Sequence, residues 1–236
     1  MQESALDFNT ESGLQNTSVR FQCIKQQLFS TPVHLCPERA ELITSFFKKY
    51  NNPSEPVIIQ KAKAFRFLLQ NKSVRIFENE LIAGNVGRFR KSAIIQPELS
   101  GVFGCQELLW IDKRPTTPFK MSWKERFSIM GKVLPYWLFR NMIFRAFYPS
   151  LRQFLRYAAE QLHAKYYLIN EAGGIGHFIP NYPKMLNLGI EGYLKTIQKK
   201  KGRFYTAACI ACEGLINYAD RLAREADRLA VICVDP

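Results

Sequence analysis

Apolar positions in this chain recur mostly at helical spacing. From Ser18 the pattern is helical, with Val19, Cys23 and Leu28 on one stripe that ends before Thr31-Pro32. Cys36-Pro37-Glu38 is a helix start, because proline suits the first turn and an acid suits the positive helix end. Ala40, Leu42, Ile43, Phe46 and Phe47 follow at helical intervals, and Asn51-Asn52-Pro53 stops that helix. Pro56 opens another, with Ile58, Ile59, Ala62, Phe65, Leu68 and Leu69 on one side and Lys61, Lys63, Arg66 and Lys72 largely elsewhere.

Two short apolar runs read as strands: Leu81-Ile82-Ala83-Gly84-Asn85, and Ala93-Ile94-Ile95 closed by Gln96-Pro97-Glu98. Residues 112–121 form a polar loop. The aromatic and basic stretch from Trp123 to Phe147 predicts two helices meeting at Pro135. Leu151 to Leu168 is helical, and Glu171 to Pro180 is a glycine-rich loop. Two more helices span about 183–200 and 203–232. In the last, Leu215, Tyr218, Ala219, Leu222, Ala226 and Leu229 share a face. The expected fold is therefore mainly α with a few short strands, without the helix–strand alternation of a complete α/β domain.

Composition changes this picture only at the ends. The chain has 236 residues, 47% of them hydrophobic and 22% charged, which excludes disorder over most of its length. Residues 1–16 read as a disordered arm, and 17–236 as the folded part. The arm has neither a basic segment nor an apolar run, so no secretory signal is expected. No run is long enough to span a bilayer, since Arg140 and Arg145 interrupt the best candidate, Val133 to Phe147. Six cysteines without a signal peptide point to a reducing cytoplasm.

The net charge of +13 raises nucleic acid or an anionic membrane as partners. The stretch 120–148, with Lys120, Lys124, Arg126, Lys132, Arg140 and Arg145 among Trp123, Tyr136, Trp137 and Phe139, would serve such a basic helical binding module. A packed helical hairpin with a solvated basic rim is the preferred reading, which disfavours nucleic acid. Cys209-Ile210-Ala211-Cys212 lacks a second ligand pair and reads as helix cysteines rather than a metal or redox site. Gly173-Gly174-Ile175-Gly176 lacks both the spacing and the Lys-Ser/Thr of a phosphate loop. It reads better as a tight loop presenting His177.

Six stretches in order resemble the N-terminal part of the glycyl radical enzymes, the pyruvate formate-lyase-like superfamily. They are Cys36-Pro37-Glu38-Arg39 through Thr44; Pro56 to Leu69 followed by Glu80-Leu81-Ile82-Ala83-Gly84-Asn85; Gln96-Pro97-Glu98; Leu134-Pro135-Tyr136-Trp137; Gly176-His177-Phe178-Ile179-Pro180-Asn181-Tyr182; and Phe204-Tyr205 to Cys212-Glu213 with Tyr218 to Ala223. The likeness covers about residues 18–230 and is closer to the dehydratase, decarboxylase and arylsuccinate-synthase branch than to pyruvate formate-lyase in the strict sense. It implies the N-terminal portion of an α/β barrel wrapped in helices. It implies radical dehydration, decarboxylation or C–C lyase chemistry on a small polar substrate, under anaerobic conditions. The parent enzyme would need a glycyl radical installed by a radical S-adenosylmethionine activase, with no metal in the enzyme itself, and it admits a homodimer.

The departures from the family are equally specific. The family's thiyl cysteine lies in a "GCxE"-like loop near mid-chain. Gly104-Cys105-Gln106-Glu107 has that form but lies far too early, so it reads as a chance match. The "RVxG(Y/F)" loop of the radical glycine does not occur. The resemblance thus implies a fragment that is inactive alone, poorly soluble because of exposed apolar surface, and without catalytic residues of its own. His177 matches the histidine that lines the substrate pocket in the diol-dehydratase branch, where an imidazole helps a hydroxyl leave as water. Asn181 stands where the motif often has Asp, which removes a charge from that position. Glu98 and Asn85 read as structural, capping turns between strands.

Overall fold

A computed structural model describes residues 19–80, 82–99, 107–141, 150, 152–153, 155–156, 159 and 180–233. Helix α1 spans Val19–Ser30 and ends where expected, before Thr31. Its stripe is not covered, however, since Val19 is 78% exposed and Leu28 52%. Helix α2, Glu38–Tyr50, carries Glu38 and Glu41 in its first turn and Lys48 and Lys49 in its last, which complements the helix dipole at both ends. Pro37 is its N-cap. Helix α3, Val57–Asn71, buries Ile59, Ala62, Ala64, Leu68 and Leu69.

Between α1 and α2 lies a strand the periodicity did not show. Strand β1, His34–Cys36, pairs in parallel with β2, Ser92–Ile94, with Leu35 opposite Ala93. β2 begins one residue before the predicted run. On the other side of β1, the Leu35 amide donates to the Lys120 carbonyl at 2.9 Å, and the Lys120 amide donates to the Val33 carbonyl at 2.8 Å. The strand predicted at Leu81–Asn85 does not form over residues 82–85, and Ile82 is 85% exposed. That segment is instead a turn held by polar groups. The Asn85 carbonyl accepts from the Lys72 ammonium, and Asn85 Nδ2 donates to the Arg90 carbonyl at 3.1 Å.

A 3₁₀ turn at Ile111–Lys113 starts the loop that leads to helix α4, Trp123–Ser128. Ser122 and Glu125 form a reciprocal capping box at the start of α4. Of the two helices predicted to meet at Pro135, the part described, up to Trp137, is one continuous helical run, and 142–147 lie outside the described residues. α4 passes through a π turn, Ile129–Val133, into α5, Leu134–Trp137. Pro135 has no N–H to offer the carbonyl four residues back, and the wider π turn just ahead of it absorbs that mismatch.

The main core lies where α2, α3, β1, β2 and this run converge: Leu35, Ile43, Phe46, Leu68, Leu108, Ile129, Val133 and Trp137 are buried together. Helices α6, Tyr182–Gln198, and α7, Arg203–Ile232, complete the described elements. α7 crosses α3 closely at Gly214, where an added Cβ would lie 2.9 Å from the Arg66 Cα. Ala207, Cys212 and Gly214 are its buried positions. The face predicted further along α7 is half-buried at Leu215, Tyr218, Leu222 and Leu229 and exposed at Ala219 and Ala226.

Candidate functional site

The stretches singled out in the sequence are brought together by ion pairs and capping bonds. Arg39, on α2, donates to Glu98 Oε2 at 3.1 Å and to the Ile95 carbonyl at 3.3 Å. A second contact, from Nη2 to Glu98 Oε1, makes the pair bidentate. Glu98 thus ties the turn after β2 to α2, in keeping with a structural role. Glu38 Oε1 accepts from the Ser73 amide at 2.8 Å and from the Ser73 hydroxyl, fixing the chain just beyond α3.

At the C-terminal end of α3 three stretches meet. Arg221 of α7 donates to the carbonyls of Leu69 at 2.7 Å and Lys72 at 2.8 Å. These bonds fall on the end of the helix, where carbonyls lack intrahelical partners. Lys72, 8% exposed, bonds the Asn85 carbonyl and lies 4.8 Å from the centroid of the Tyr218 ring. Two α-helices and the 82–85 turn are thereby locked at one point.

Over the described part, 120–141, the basic, aromatic stretch buries Arg126 and Trp137 and leaves Lys120, Trp123, Lys124, Lys132, Phe139 and Arg140 exposed. Arg126 is 3% exposed; it pairs with Asp112 at 2.5 Å and donates to the carbonyls of Leu109 at 2.7 Å and Met121 at 3.3 Å. Its hydrogen bond holds the exposed Asp112 carboxyl below the ordinary carboxylate range. Trp137 is buried and donates from Nε1 to Thr44 Oγ1 at 2.8 Å. Arg88 pairs with Glu125. Burial pushes the Glu125 carboxyl up, but hydrogen bonds from the Ser122 amide and hydroxyl and from Arg88 outweigh it, so the group titrates below its ordinary value. The buried Arg126 and Trp137 fit a packed helical run with a solvated basic rim. Arg126, Lys72 and Arg221 carry the framework, and nothing in the sequence distinguished them from solvated bases.

His177, the expected substrate contact, lies outside the described residues, as do Cys105, Gly104, His163, Gly173, Gly174 and Gly176. The described chain resumes at Pro180. There Asn181 Oδ1 accepts from the Lys184 amide at 3.1 Å, capping α6. A neutral amide performs this capping as well as a carboxylate, which accounts for Asn at this position of the motif. Glu107, the last residue of the early "GCxE" match, pairs with Arg114 at 3.6 Å. Cys209 is half-buried and Cys212 is buried, and burial pushes the Cys212 thiol up, away from the reactive thiolate. Among the described residues, no three His, Cys, Asp or Glu side chains are grouped to hold a metal ion. No described helix is long and apolar enough to cross a membrane.

Helices gathered on a short parallel strand pair, with the described stretches of the family likeness in this order, fit the glycyl radical enzyme class. The chain belongs to the pyruvate formate lyase-like family, whose model matches residues 11–236. Isethionate sulfite-lyase from Oleidesulfovibrio alaskensis is 24% identical to it over 218 residues, which are 84% of this chain and 26% of that one. The (2S)-3-sulfopropanediol dehydratase from Klebsiella oxytoca is 23% identical over 228 residues, 89% of this chain and 27% of that enzyme. Among solved structures, a glycyl radical enzyme from Archaeoglobus fulgidus superposes with a TM-score of 0.79 and 28% identity, covering 92% of this chain and 29% of its own. The glycerol-bound B12-independent glycerol dehydratase from Clostridium butyricum gives a TM-score of 0.79 at 25% identity, covering 93% of this chain and 29% of its own. The 236 residues thus span little more than a quarter of the length of these relatives.

Proposed function

We propose that these residues form the N-terminal helical portion of a glycyl radical enzyme barrel in the dehydratase and lyase branch. The observation that carries this is the match across 92% of the chain to a solved glycyl radical enzyme, together with the family match over residues 11–236. The relatives are named for isethionate, sulfopropanediol and glycerol, which supports a small polar substrate. In this reading residues 17–236 are one incomplete domain, and the chemistry of the parent is radical dehydration, decarboxylation or carbon–carbon cleavage in the cytoplasm. The parent is activated by a radical S-adenosylmethionine enzyme, and the 236 residues alone are inactive. His177 lines the substrate pocket, hydrogen-bonding a substrate hydroxyl or carboxylate and assisting departure of a hydroxyl as water.

The test is the coding sequence downstream of the Pro236 codon. An in-frame "GCxE" loop followed by an "RVxG(Y/F)" loop supports the reading, and their absence from every frame removes catalysis from it. In an enzyme containing both, His177→Ala should lower kcat/KM while leaving the yield of glycyl radical, read by electron paramagnetic resonance, unchanged. An unaltered kcat/KM would take His177 out of the pocket.

A further inference from the structure

The turn between α6 and α7 concentrates positive charge that its surroundings do not answer. Lys195, Lys199, Lys200, Lys201 and Arg203 lie close together in sequence, and all five are exposed. No acid occurs between Glu191 and Glu213, and Glu213 is taken by Arg66 at 2.7 Å. Among the described residues, none of the five bases pairs with a carboxylate. Gly202, with a φ of 122°, holds the turn in a conformation that an L-residue rarely adopts. A Cβ added there would meet nothing within 4 Å, and Phe204 beside it is 63% exposed. The turn is thus an open basic surface with an aromatic ring at its edge.

The opposite charge pattern stands at the other end of the chain. Residues 1–19 contain Glu3, Asp7 and Glu11 and neither lysine nor arginine. The three acids are spaced by four residues, as are Lys195, Lys199 and Arg203. Leu6 and Phe8 lie among the acids.

We propose that residues 1–16 dock on the α6–α7 turn, with their carboxylates against its bases and Leu6 and Phe8 supplying apolar contact for Phe204. Charge selects this occupant, and reach permits it. The 18 residues before Val19 can extend up to about 60 Å. That exceeds the length of α7, about 45 Å for its 30 residues. Ion pairs on a surface are individually weak. Tethering offsets this, because a segment of the same chain meets the turn at an effective concentration on the order of millimolar. The surface is therefore an intrachain docking site for an acidic segment.

The test uses the full 236-residue chain at low salt and a zero-length carbodiimide, which joins a carboxylate to an amine only when the two are in contact. Peptide mass spectrometry of the monomeric product is expected to find Glu3, Asp7 or Glu11 linked to Lys199, Lys200 or Lys201. Raising the salt should suppress these links, since exposed charges are screened. Lys199→Glu, Lys201→Glu and Arg203→Glu together should lower the yield of arm-to-turn links about fivefold or more. Adding Glu3→Lys, Asp7→Lys and Glu11→Lys to that variant should restore links between positions 3, 7 or 11 and positions 199 or 201. All six positions lie in the arm or on the exposed turn, and circular dichroism matching that of the unaltered chain shows that the variants are folded. Arm links spread as heavily over Lys113, Lys124 and Lys132 as over the turn would overturn the proposal. So would an absence of arm links, a yield unmoved by the triple substitution, or an exchange of charges that restores nothing. Links found only in cross-linked dimers would assign the turn to the arm of a second copy and overturn intrachain docking.

Discussion

The region around α2 and the α6–α7 pair are built on opposite plans. The first gathers Leu35, Phe46, Leu108, Ile129, Val133 and Trp137 from well-separated stretches into one buried cluster, and its Thr44–Trp137 hydrogen bond joins residues 93 positions apart. It also forms the Arg39–Glu98, Arg88–Glu125 and Arg126–Asp112 ion pairs. The helix pair buries Ile197, Ala207 and Cys212 but leaves Leu186, Phe204, Val231 and Ile232 in solvent. The first region has one large buried cluster and the second only a few buried residues, while both carry exposed apolar side chains, Trp123 and Phe139 in the first and Leu186 and Val231 in the second. Cooperative stability is therefore expected to reside mainly in the first region.

The largest expected effect is in the first region. Trp137→Ala removes a buried ring, leaves the Thr44 hydroxyl without that donor, and opens a void at the centre of the cluster. It should cost about 3–5 kcal/mol, read from the midpoint of chemical denaturation at unchanged slope. A loss below about 1 kcal/mol would show that this cluster does not carry the fold.

Next is the joint between the two regions. Gly214→Ala places a Cβ 2.9 Å from the Arg66 Cα, a backbone atom that cannot swing aside. The helices must part, at a cost of about 1–3 kcal/mol. Hydrogen exchange should rise along α3 and α7 and not at Thr44 or Trp137. Exchange that rises equally everywhere would mean that the two regions unfold as one.

The third effect is electrostatic and belongs again to the first region. Because the Glu125 carboxyl titrates below its ordinary value when folded, its contribution is present above the unfolded value, near 4.5, and is lost as the pH falls through the folded one. Glu125→Gln should therefore destabilise the chain by about 1 kcal/mol at neutral pH. The variant should also lose less stability than the unaltered chain on acidification below pH 4.5. Parallel stability curves for the two proteins would exclude a net role for the Arg88–Glu125 pair.

Legibility in the sequence followed the same division of the molecule. Helices α2, α3 and α7 could be read because each is a long periodic run bounded by proline, asparagine or glycine. β1 escaped because three residues have no period, and its pairing with β2 is a contact across 58 positions. Leu81–Asn85 misled because a short apolar run looks the same whether it is a buried strand or, as at Ile82, an exposed turn. The π turn follows from Pro135, yet a proline signals only that the helix must adjust, not how. Of the candidate site, the ordered motifs revealed the family. The roles of Arg39, Arg126 and Arg221 depend on which carbonyls lie nearby, which single-chain periodicity does not encode.

The smallest effect tests the uncovered region. Asn181→Ala removes the acceptor for the Lys184 amide, a loss of about 1 kcal/mol confined to the first turn of α6. Because residues 181–184 are exposed, the global denaturation midpoint should shift by less than about 0.5 kcal/mol. Hydrogen exchange over 182–188 should nevertheless accelerate several-fold. Asn181→Asp should restore slow exchange, since a carboxylate accepts the same bond and also favours the positive helix end. A change in the global midpoint as large as that at Trp137 would erase the distinction between the two regions. Unchanged exchange in Asn181→Ala would mean that residues 182–188 are held by something other than their cap.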